Sequence, residues 1–71
     1  MSITDIGGPA NIMKHMKGIK FPAQKADLKQ LAENNRSRAE NTDEILELID
    51  QIPDQDYNRV SDIMKEIGKV A

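Results

Sequence analysis

Asp54-Gln55-Asp56-Tyr57-Asn58 sets oxygen donors at the first, third and fifth places of a calcium-type loop. The register then fails, because Arg59 stands where such a loop turns on glycine and Lys65 where it needs a bidentate carboxylate. The segment reads instead as a polar turn whose Asp and Asn side chains satisfy backbone amides, and no metal is expected. Glu44, Glu47 and Asp50 fall on one side of a helix, spaced for solvent rather than for a water-poor cleft that would tune a general acid or base. His15, Ser37 and Ser61 supply a base and two hydroxyls, but no nucleophile elbow or glycine-rich oxyanion loop accompanies them. Gly7-Gly8 is too short to cradle a phosphate. No catalysis, cofactor or small-molecule substrate is expected.

The lysines carry a sharper alternative. Lys14, Lys17, Lys20, Lys25 and Lys29 lie on or beside two predicted helices joined by a four-residue turn containing Gly18, which is the cue of a helix-turn-helix. Gln24 and Lys25 would then approach base edges, with Lys14, Lys17 and Lys20 on phosphates. An acidic second half, a sequence pI near 5.2 and few arginines weigh against a polyanion partner. Phe21 and Tyr57 could stack on bases, yet beside prolines and apolar residues they read better as core anchors.

Charge is divided along the chain. Residues 1–38 carry seven Lys or Arg against three Asp or Glu, a balance of +4, and residues 39–71 carry three against nine, a balance of −6. Lys14, Lys17, Lys20, Lys25, Lys29, Arg36 and Arg38 form the candidate basic surface; Asp43, Glu44, Glu47 and Asp50 form the candidate acidic one. Such a chain suits a protein partner or a second copy of itself. A domain of 71 residues buries only about 60% of its unfolded surface, so its core supplies about 3–5 kcal/mol net. There is no cysteine, the start lacks a basic segment followed by an apolar run, and no stretch approaches the ~20 apolar residues that span a bilayer. No membrane association is expected, and a cytoplasmic location is.

Four short helices must position these groups. Gly8-Pro9 opens the first, which carries Ile12, Met13, Met16 and Ile19 at helical spacing and should end at Gly18. A second should start after Pro22 and run to about Asn34, with Leu28, Leu31 and Ala32 inward and Phe21 closing over its first turn. Lys25 can lay its stem along the core edge while its ammonium reaches an acid or exposed carbonyls. A polar connector, residues 35–41, separates the halves. The third helix, capped by Asn41 or Thr42 with Glu44 reaching back, turns Ile45, Leu46, Leu48, Ile49 and Ile52 inward and stops at Pro53. The last, capped by Asn58 or Ser61, repeats Val60, Ile63, Met64 and Ile67 and should end at Gly68. Met13, Met16 and Met64 read as interior filling.

Phe21-Pro22-Ala23-Gln24-Lys25-Ala26-Asp27-Leu28, followed downstream by Ile52-Pro53 and Tyr57, resembles a family of short bacterial domains of unknown function. That family is marked by Phe-Pro-Ala-x-Lys-x-x-Leu and Leu-Pro-x-x-x-Tyr segments, and the likeness covers about residues 14–68. Ile52 replaces the usual Leu, and the connector is longer than in the family pattern. The resemblance implies no enzyme activity, cofactor or partner. The expectation is one all-α domain over residues 1–71, four short helices in two hairpins around a single core, with residues 1–7 flexible. Phe21, Pro22, Pro53 and Tyr57 are its structural motif, and Phe21→Ala is expected to cost about 3–5 kcal/mol.

Overall fold

The computed structural model describes residues 3–71. A short 3-10 helix, Thr4–Ile6, precedes α1 (Gly8–His15) and α2 (Lys25–Asn34). A second 3-10 turn, Arg36–Arg38, leads to α3 (Thr42–Gln51) and α4 (Val60–Val70). The described residues contain four α-helices around one core and no strand, and none of the helices is long and apolar enough to cross a membrane.

The helices form where apolar spacing asks for them. Ile45, Leu48, Ile49 and Ile52 are buried, Leu46 is half-buried against them, and Asp43, Glu47 and Asp50 face water. α3 ends at Gln51 because Ile52, the residue before Pro53, is pushed into extended backbone with φ −78° and ψ 159°. On α4, Ile63 and Ile67 are buried and Val60 and Met64 half-buried. The most extensive packing between helices joins α2 to α3, so the core runs across the connector rather than dividing there. Of the opening segment, Ile6 is a core residue and Ile3 packs against the core; residues 1–2 lie outside the described ones.

Several boundaries differ from expectation. Gly7 rather than Gly8 caps α1, which ends at His15; Gly18, with φ +86°, completes the turn that follows. Ile19 then donates its N–H to the Met16 carbonyl at 3.0 Å and packs on the core. α2 begins at Lys25 because Ala23 stays extended, exchanging backbone hydrogen bonds with Tyr57 at 2.9 and 2.7 Å. Gln24 caps α2, its N–H donating to the Asp27 carboxylate at 2.9 Å. Asn41 caps α3 from left-handed backbone with no side-chain cap bond, the Glu44 reach-back is not formed, and Arg59 stands in the cap place of α4. Gly68 does not end α4, which continues to Val70. Half-buried Val70 and Ala71 pack against the core there, and that burial offsets the penalty of about 1 kcal/mol for glycine inside a helix.

The largest correction concerns the ring-bearing residues. Tyr57 is fully buried and donates its hydroxyl to the Pro53 carbonyl at 2.6 Å. Phe21 is 41% exposed, because Ala23 and Tyr57, clasped to each other, close the elbow that Phe21 was expected to fill. Truncating Phe21 therefore costs about 1–2 kcal/mol rather than the loss expected for a core ring. Met13, read as interior, is 56% exposed, whereas Met16 is buried.

Candidate functional site

A buried polar staple fixes the end of α1. The Asn11 side chain donates to the carbonyls of Ile6 (2.7 Å) and Glu40 (2.6 Å) and accepts the Glu40 N–H at 3.0 Å. One turn on, His15 Nδ1 lies 2.8 Å from the Asn11 carbonyl and Nε2 2.8 Å from the Thr42 hydroxyl. A carbonyl only accepts, so Nδ1 carries the proton and Nε2 accepts from Thr42 when the ring is neutral. Asn35 donates to the carbonyls of His15 (2.9 Å) and Lys17 (3.2 Å), pinning the turn after α1 to the end of α2. His15 is thus wholly committed inside the protein, and Ser37 and Ser61 are exposed and apart from it. Among the described residues no group of three His, Cys, Asp or Glu is placed to hold a metal ion.

With Asn11, Ile12, His15 and Met16 turned inward, the opposite side of α1 and its turn presents Met13, Lys14 and Lys17 to water. Lys20 and Phe21 follow, also exposed. A groove of about 340 Å³ lies beside them, between residues 18–23 and α2. Its apolar lining is Ile19, Pro22, Ala23 and Leu31; Ile19 and Leu31 are half-buried extensions of the core. Lys20, Asp27, Gln30 and Asn34 give it a polar rim, along which Gln30 Nε2 donates to Asn34 Oδ1 at 3.2 Å. The Asp27 carboxylate accepts the Gln24 N–H and forms no ion pair among the described residues, so the groove lining carries one cation, Lys20, and one anion.

Ion pairing sorts the candidate charges into two groups. Lys29 pairs with Asp50 at 2.6 Å, and Arg36 bridges Glu33 and Asp43, each at 2.8 Å. Lys25 donates to the Asp50 carbonyl in the last turn of α3, where carbonyls lack helical partners. Hydrogen bonds from Arg36 hold the Glu33 carboxyl below its ordinary 4.5, and Lys29 holds Asp50 below its ordinary 3.8. Both carboxylates in turn raise the Arg36 guanidinium, with Glu33 contributing most and Asp43 next. Lys14, Lys17, Lys20 and Arg38 form no ion pair among the described residues. On the acidic side, Asp43 and Asp50 are occupied, and Glu44 and Glu47 form no ion pair among the described residues.

Ion pairing therefore divides the seven basic residues. Lys25, Lys29 and Arg36 link α2 and the turn after it to α3, and Lys14, Lys17 and Lys20, exposed on α1 and the segment after it, form no ion pair among the described residues. The expected four-residue turn between α1 and α2 is corrected as well: the segment runs from residue 16 to 24. Sequence reasoning missed the exposure of Phe21 and the staple, although Asn11 and His15, four apart on the inward side of α1, were a visible trace of the latter. No curated protein and no solved structure matches the chain. A family model described as protein of unknown function (DUF2795) matches residues 8–64, most of the chain, and the protein belongs to that family.

Proposed function

We propose that the chain is a non-catalytic interaction module that binds a protein partner through the face formed by α1 and residues 16–22. The observation that carries the reading is that Lys14, Lys17 and Lys20 form no ion pair among the described residues and stand beside exposed Met13 and Phe21, whereas Lys25, Lys29 and Arg36 are engaged with α3. Large apolar side chains left in water next to uncompensated charge are the composition of a contact surface. A second copy offering Glu44 and Glu47 to these lysines would make a heterologous contact that propagates instead of closing. The nucleic-acid alternative is less well supported, because Lys25 is held by α3 and the segment between α1 and α2 exceeds a helix-turn-helix turn.

The test compares wild type with the triple variant Lys14→Glu, Lys17→Glu, Lys20→Glu as bait in native cell extract at low and high salt, with duplex DNA binding measured beside it. The reading expects proteins captured at low salt, released at high salt and absent from the variant. An identical set on both baits removes this face from the function. Salt-sensitive DNA binding lost in the variant moves the conclusion to nucleic acid.

A further inference from the structure

We infer that the outward face of α1 docks an acidic protein surface, one that sets an apolar patch against Pro9, Ala10 and Met13 and carboxylates against Lys14 and Lys17. This rests on the interaction-module reading and narrows it to one helix face and one partner chemistry. Two independent observations carry it.

The first is the composition of that face. Asn11, Ile12, His15 and Met16 are buried, so α1 leaves Pro9, Ala10, Met13 and Lys14 in water. Positions 9, 10, 13, 14 and 17 lie three or four apart and adjoin on a helix surface. The Lys17 N–H donates to the Lys14 carbonyl at 3.4 Å, which carries the coil one tight turn past His15 and sets Lys17 over Lys14. A helix lying on a core ordinarily turns polar and charged residues to solvent. α1 turns three apolar residues there as well, and Met13 is 56% exposed. The unbranched thioether of Met13 adapts readily to whatever apolar surface covers it.

The second is charge. No Asp or Glu occurs between Asp5 and Asp27, a stretch that holds Lys14, Lys17, Lys20 and Lys25. Lys25 is taken by the Asp50 carbonyl, whereas Lys14, Lys17 and Lys20 form no ion pair among the described residues. Cations at a helix C-terminus favour the helix by themselves, so charge alone names no partner. Charge at one end of an exposed apolar face does, because only a surface bearing both an apolar patch and carboxylates complements the two together. A nucleic-acid duplex would meet the lysines while laying its phosphates against Pro9, Ala10 and Met13, which offer them nothing to bond. A two-fold pair of copies meeting on this face offers Lys14 and Lys17 no carboxylate from α1, since α1 has none.

The experiment presents the full chain as bait to native cell extract and then adds a water-soluble carbodiimide, which joins an amine to a carboxylate held at ion-pair distance. Lys29 and Asp50, 2.6 Å apart, are its internal control. Linked peptides are sequenced by mass spectrometry, and the linked protein is produced and titrated against wild type, Met13→Ser and the double variant Lys14→Glu, Lys17→Glu. Expected are amide links from Lys14 or Lys17 to Asp or Glu of another protein, and affinity about tenfold or more lower in both variants, each with a native far-ultraviolet spectrum because the three side chains are exposed. Capture that needs the lysines but yields no such link, or affinity unchanged by Met13→Ser, overturns the inference and leaves the interaction module standing. Links only between copies of this chain, or duplex DNA bound more tightly than any captured protein, overturn it in favour of those partners. The same proteins held by wild type and by the triple variant Lys14→Glu, Lys17→Glu, Lys20→Glu would take both readings.

Discussion

Adding one methyl group at Gly7 should nearly unfold the protein, whereas the same methyl group at Gly8 should not. Both glycines sit in left-handed backbone, with φ +93° and +77°, which costs an alanine about 1–2 kcal/mol, less a few tenths recovered by stiffening the unfolded chain. They differ in what the new Cβ meets. At Gly7 it would lie 2.8 Å from the Asn11 Cβ and 3.0 Å from its Nδ2; at Gly8 there is open space. Asn11 cannot give way without loosening its three hydrogen bonds to Ile6 and Glu40, worth about 0.5–1.5 kcal/mol each and more if the partners stay buried. Gly7→Ala thus costs about 3–5 kcal/mol and Gly8→Ala about 1, against a total stability of about the former size. Urea unfolding followed by far-ultraviolet circular dichroism separates the two. Midpoints that fall together would refute the reasoning, since the staple would then not be holding Asn11 in place.

Burial, with Glu66 and Asp54 nearby, pushes the Tyr57 phenol above its ordinary 10.0, and because Tyr57 is the only tyrosine its absorption reports on it alone. The folded phenol keeps its proton when the unfolded one has lost it, so this contribution to stability is present below pH 10 and declines as pH rises beyond; a native midpoint at or below the unfolded one contradicts the burial. For Glu33 the sign reverses. Its folded carboxyl lies below 4.5, so the pair with Arg36 supports the fold above that pH and is lost as pH falls through the folded value; in Arg36→Gln, carbon-detected titration should find Glu33 returned toward 4.5. Lys25→Met keeps the stem and loses the bond to the Asp50 carbonyl, costing about 0.5–1 kcal/mol with partner binding unchanged; lost binding without lost stability would make Lys25 part of the contact face.

α3 was legible almost to the residue because Ile45, Leu48, Ile49 and Ile52 alternate with acids at helical spacing and Pro53 sets a hard stop. Gly68 was misread for a tertiary reason: a glycine ends a helix only when nothing beyond it gains by continuing, and Val70 and Ala71 do gain. Phe21 shows a different limit. Hydrophobicity states that a ring would gain by burial, but Phe21 and Tyr57 compete for one elbow, and the hydroxyl of Tyr57 has a carbonyl to bond while its backbone pairs with Ala23. The staple escaped because its members meet across 27 and 29 residues, a separation that periodicity does not register. Of the basic surface, composition supplied the members, and only the ion pairs told the spent cations from the free ones.

The most direct trial of the account is a single variant, Phe21→Ser, taken through unfolding and binding side by side. The account predicts a loss of about 1–2 kcal/mol in urea, a native far-ultraviolet spectrum, and proteins captured from extract by wild type at low salt no longer retained. A chain that unfolds outright would place the ring in the core after all, and one that is stable and still holds those proteins would strip Phe21 of its part in recognition.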